Sequence, residues 1–152
     1  MALIASAIVV GVVGVGVAGC GGGDAPGATV SVYVAAPLCP AAKAELASHG
    51  VAAGHYRVAA RCLAPSARAG GGVDLATVGA NSRRATEDTS AIATLEAPGP
   101  GDKFARPILE SAGVPLVLAA SGRQGMSRII KVVEGAGSSS VRDSVREGFE
   151  PG

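Results

Sequence analysis

The rhythm of hydrophobic and polar positions changes several times along the chain, and each rhythm predicts an element. Residues 1–19 (MALIASAIVVGVVGVGVAG) are apolar and uncharged. They have no polar face, which argues against a helix of a globular core. Thr29 to Ala35 is β-branched and alternating, the pattern of a first strand that Pro37 and Pro40 end. Pro40 to Ser48 reads as a short helix stopped by Gly50. A second strand follows from His55 to Leu63, with Tyr56, Val58 and Ala60 on one face and Arg57, Ala59 and Arg61 on the other. After a loop from Pro65 to Gly72, Val73 to Glu87 has helical spacing. Its inward stripe is Leu75, Val78, Ser82 and Ala85, and Asn81, Arg83 and Arg84 face outward.

Ala91 to Leu95 is a short apolar run, as expected of a strand buried on both faces. Beyond the loop Pro98-Gly99-Pro100-Gly101, Asp102 is placed to cap a helix that ends at Ala112. Pro107 either kinks that helix or moves its regular part to start near Arg106. Val114 to Ala119 is a fourth strand, followed by a turn at Ser121-Gly122. Met126, Ile129, Ile130 and Val133 mark the next helix, closed by Gly135. Ser140 with Asp143 has capping-box spacing before a last helix with Val141, Val145 and Phe149 inward. Strands alternating with helices predict an α/β fold: one three-layer domain, a parallel sheet of about four strands and flanking helices, after the N-terminal apolar signal helix.

Composition narrows the function classes. The net charge is +1, and every charged residue lies after Cys20. The basic excess of a nucleic-acid binder is missing. Aromatic residues are confined to Tyr33, Tyr56, Phe104 and Phe149, so the core must be aliphatic. Residues after position 19 suffice for one ordinary domain.

The end of the apolar run, Val17-Ala18-Gly19-Cys20, resembles the lipobox of bacterial lipoproteins. That resemblance implies cleavage before Cys20 and lipidation of Cys20. Residues 1–19 would then be a signal peptide, 20–28 a Gly-rich tether and 29–150 the α/β domain. No Lys or Arg precedes Cys20, so the basic n-region is either upstream or weak. The alternative is an uncleaved membrane anchor, since nineteen residues of helix reach about 28 Å. With Cys20 lipidated, Cys39 and Cys62 form an even pair that an oxidising compartment would join. Two buried free thiols are the alternative. The pair lacks metal-ligand spacing, and His49 and His55 supply no ligand pattern.

Catalytic constellations are sparse. There is no Gly-x-Ser-x-Gly elbow, and Ser121 has no histidine placed beside it by sequence. Gly70-Gly71-Gly72 follows a loop and lacks the Lys-Ser/Thr of a P-loop. Glu96 ends the third strand and Asp102 opens the following helix, both at the carboxyl edge of the sheet, where open α/β folds bind ligands. Two carboxylates there can hold an amine; a helix cap and a solvated loop residue are the plainer reading. Arg83 and Arg84 are a solvated pair or a contact to anionic lipid heads.

The order of blocks carries one further resemblance. Val30 to Leu38 (VSVYVAAPL), Ala80 to Asp88 with Ala91 to Leu95, Arg106 to Pro115, and Arg128 to Glu147 together resemble one lobe of periplasmic-binding-protein type I domains. These are the solute receptors of branched-chain amino-acid ABC importers. The resemblance implies the strand order 2-1-3-4, which makes the first two strands neighbours and brings Cys39 and Cys62 to the same end of them. In that family, hydroxyl groups after the third strand hold the ligand carboxylate. The matching loop here, Ala97 to Asp102, has none, whereas Ser121 does match the serine after the fourth strand. The implied protein is a lipid-anchored envelope lipoprotein on the extracytoplasmic face of the cell membrane. It would be a non-enzymatic, solute-binding-like module. Its partners would be a small polar ligand or ABC importer subunits, and Glu96, Asp102 and Ser121 its ligand-binding residues. The alternative is a structural or partner-binding lipoprotein with a degenerate site. No cofactor and no metal are expected.

Overall fold

A computed structural model describes residues 27–137 and 140–150. The expected signal peptide, Cys20 and most of the expected tether lie outside the described residues. The elements are β1 (Thr29–Val34), α1 (Cys39–His49), β2 (Ala52–Ala53), β3 (Tyr56–Cys62), α2 (Leu75–Glu87), β4 (Ala91–Glu96), α3 (Asp102–Ser111), β5 (Leu116–Leu118), α4 (Gly122–Gly135) and α5 (Val141–Phe149).

The strands form one mixed sheet in the order β2-β3-β1-β4-β5. The expected sheet was parallel, with about four strands in the order 2-1-3-4, so count, order and uniform direction need correcting. The difference is β2, which pairs antiparallel with β3 through Ala52↔Arg57 and Ala53↔Tyr56. A two-residue turn, Gly54-His55, closes this hairpin. Gly54 takes φ +58°, as a glycine does at the first turn position of a type II′ hairpin. Its missing side chain also lets the turn lie against the backbone of Glu134 at the end of α4. Two alanines carry no alternation, so β2 left no pattern to read. The other neighbours, β1·β3, β1·β4 and β4·β5, are all parallel.

Helices cover both faces. Val30, Val32 and Val34 of β1 join Leu95, Met126, Ile129, Ile130 and Val133 in a core shared with α1, α4 and α5. Tyr33 points the other way, into a smaller core with Val78, Ala85 and Leu109 of α2 and α3. Val34 lies in register with Cys62, and Cys39 opens α1 a short loop later. Their Cα atoms are 5.6 Å apart and the sulfurs are bonded. Of the two readings of this pair, the structure has the disulfide.

Local expectations are revised where tertiary contacts decide. Leu75 is 48% exposed rather than inward; α2 starts two residues later than expected, with Leu75 as its first residue. Asp74 caps it by accepting from Ala76 N at 3.1 Å and Thr77 N at 3.4 Å. Asn81 does not face freely outward. It clamps the backbone of Ala64, donating to its carbonyl (2.8 Å) and accepting from its amide (3.2 Å). α3 continues through Pro107. β5 is shorter than expected, since Pro115 gives a carbonyl to Thr94 N (2.9 Å) but has no N–H for the ladder. The Ser140 capping box does not form; Asp143 turns to Arg146 at 2.8 Å.

Candidate functional site: a carboxylate cleft at the carboxyl edge of the sheet

The four parallel strands end together, and the loops after β1, β3 and β4 enclose a cleft of about 370 Å³. This volume falls in the range of small-molecule sites. Its walls are mostly apolar: Ala35 and Pro37 from the β1–α1 loop, Leu63 and Pro65 after β3, Val78 from α2. The disulfide fixes two of these walls to each other, because Cys39 follows Pro37 and Cys62 precedes Leu63. The Asn81 clamp on Ala64 holds the second wall against α2.

Glu96 and Asp102 both line this cleft. Glu96 is the last residue of β4 and Asp102 the first of α3. Gly101, rather than Asp102, takes the cap position; Asp102 Oδ2 accepts from Gly99 N at 3.0 Å and so closes the loop on itself. Burial raises the Glu96 pKa above the ordinary carboxylate value, and the nearby Asp102 charge raises it further. Among the described residues, no basic side chain pairs with either carboxylate, and Glu96 accepts no side-chain hydrogen bond. One step deeper on the same face of β4, the Thr94 hydroxyl is buried without a partner among the described residues.

Ser121 does not join them. It caps α4, accepting from Gln124 N at 3.2 Å, and it does not line the cleft. α4 lies on α1, so its N-terminus is held by that helix pair and not by the cleft loops. Neither histidine is beside Ser121. His55 is in the hairpin turn at the opposite end of the sheet. His49 ends α1, 2.8 Å from Glu134. Among the described residues, no group of three or more His, Cys, Asp or Glu side chains is arranged to hold a metal ion. No described helix is long and apolar enough to cross a membrane.

Two other cavities have their charges engaged. One, of about 440 Å³, lies between the end of α2 and the start of α5; its Arg142 donates to Ala91 O (2.7 Å) and Thr89 O (3.0 Å). The other, of about 410 Å³, follows the outer edge of β5, where Arg106 pairs with Glu110 and Arg146 with Glu150. In both cavities the arginines named have a carbonyl or carboxylate partner, whereas Glu96 in the carboxyl-edge cleft has neither an ion pair nor a side-chain hydrogen bond among the described residues.

Sequence reasoning missed the apolar walls and Asn81. Pro37 read as a strand terminator and Pro65 as the start of a loop, whereas both also line the cleft. No protein-family model matches the chain, and no similar protein was found among curated sequences or solved structures.

Proposed function

We propose that this chain is a lipid-anchored, non-enzymatic binding module of the bacterial envelope, whose cleft takes a small ligand with a cationic amine and an aliphatic body. The observation that carries this reading is the Glu96–Asp102 pair in a mostly apolar cleft, without a compensating cation among the described residues. Two carboxylates in a partly desolvated site repel each other, and an ammonium group placed between them relieves that repulsion. The apolar walls supply contact area for the ligand body. The cleft is open on one side, so affinity is weak unless a second copy or another protein covers it. An ABC importer subunit is one such partner, by resemblance to solute receptors. Attachment runs through Cys20, with two or more acyl chains making it stable.

Two observations favour the alternative of a structural lipoprotein with a degenerate site: the loop 97–101 offers no hydroxyl, and Ser121 is engaged as a cap. A thermal-shift screen separates the two readings. Amino acids and simple primary amines are compared with isosteric alcohols, on the wild type and on Glu96→Gln. Amine-specific stabilisation that disappears in Glu96→Gln supports the binding module; a flat screen leaves the structural role.

A further inference from the structure

We infer that the domain stands on the membrane with the amino end of its sheet toward the bilayer and its cleft facing away. This rests on the reading of Cys20 as the lipid anchor. Strands β1, β3, β4 and β5 run in one direction, so the molecule has an amino end and a carboxyl end, and the cleft is at the carboxyl end. The chain enters at the other end. Gly27 N donates to the His55 carbonyl in the β2–β3 turn, and Thr29 then starts β1 in register with Arg57. The point of attachment is therefore fixed beside the hairpin.

Length decides the rest. Seven peptide steps separate Cys20 from Gly27, and they span at most about 25 Å however they are arranged. A domain of this size has a radius of gyration of about 14 Å and hence a diameter of about 35 Å. To lay the cleft on the bilayer, the segment would have to run back along the full height of the domain, and it is too short. With the amino end down, no such stretch is needed. The surface then turned to the headgroups is the hairpin edge, which exposes Val51, His55 and Arg57. An aliphatic side chain beside an arginine fits the apolar–anionic boundary of a lipid surface. The cleft opens into the aqueous space, so a ligand or a covering partner reaches it from above. A subunit embedded in the same bilayer must rise by about the height of the domain to touch it.

The test uses the mature protein purified from envelope membranes. Mass spectrometry of its N-terminus comes first: an unacylated or uncleaved Cys20 overturns the anchor reading and this orientation together. The acylated protein is then placed in vesicles of phosphatidylglycerol and phosphatidylethanolamine carrying a headgroup-linked energy acceptor. A donor dye is attached at Val51→Cys in one variant and at Pro100→Cys in another, both exposed positions away from the disulfide. The orientation predicts energy transfer from position 51 severalfold stronger than from position 100. Equal transfer, or stronger transfer from position 100, overturns the orientation while leaving the anchor in place.

Discussion

Asp88 shows how much one carboxylate does for the sheet. Its Oδ2 accepts from the Tyr33 hydroxyl at 2.9 Å, and its Oδ1 from Ser90 N at 2.8 Å and Ser90 Oγ at 2.6 Å. Arg61 Nε lies 3.7 Å away. Burial pushes the pKa of Asp88 up, but the hydrogen bonds from Ser90 and Tyr33 and the Arg61 charge outweigh it and hold the group below its usual value. A depressed carboxylate stabilises the folded state above the unfolded-state pKa, and this is lost as pH falls through the folded-state value. Asp88→Asn should therefore cost about 1–2 kcal/mol at neutral pH, from charge-assisted bonds made neutral. The cost should shrink in acid, as read by denaturant unfolding at two pH values. Glu96 has the opposite sign. Its raised pKa makes the ionised form a burden on folding above that pKa. Glu96→Gln should raise the melting temperature at neutral pH, and the gain should fade as pH drops toward the ordinary glutamate pKa. At this scale the sequence was partly legible. The position of Glu96 at a strand end marked it, and Asp102 followed from the start of a helix. Ser121 was visible as a hydroxyl, but which group it serves depends on the α1–α4 packing, which no local pattern encodes.

Among elements, α4 comes close to the start of α1. A Cβ at Gly122 would meet Leu38 O at 2.0 Å and Ala42 N at 2.9 Å. The sequence reads this glycine as a turn, yet its role is to let two backbones touch. Helix propensity alone would favour alanine by about 1 kcal/mol. The contact reverses that, and Gly122→Ala should destabilise the domain, with a larger loss than Gly125→Ala. At Gly125 the new methyl meets the buried Leu95 side chain at 2.3 Å, an overpacking of the kind that costs about 1–3 kcal/mol. Urea unfolding of the two variants gives the comparison. The disulfide joins the start of α1 to the end of β3 across 23 positions of sequence. Its loss in Cys39→Ser/Cys62→Ser should cost roughly 3 kcal/mol in the chain-entropy model. It should also loosen both cleft walls, which hydrogen exchange at Ala36 and Leu63 would show. Long periodic segments such as α4 were readable because their burial is one-sided. β2 was not, since two alanines become a strand only through a partner.

For the whole molecule, alternating strands and helices were enough to read the α/β class, and the observed sheet is flanked by helices on both faces. That arrangement gathers the strand ends into one cleft and sets the chain entry at the far end, so the cleft and the start of β1 lie at opposite ends of the sheet. The cleft itself was legible only as an edge: its two carboxylates were in the sequence, its walls and its uncompensated charge were in the packing. The reading of this protein as an amine-binding module stands on that charge. The most direct test is isothermal titration of the domain with n-butylamine, using n-butanol as the neutral control, in the wild type and in Glu96→Gln. The account predicts heat of binding for the amine alone, weakening as pH falls through the raised Glu96 pKa and absent in Glu96→Gln. Equal binding of amine and alcohol, or amine binding that survives the substitution, would contradict it.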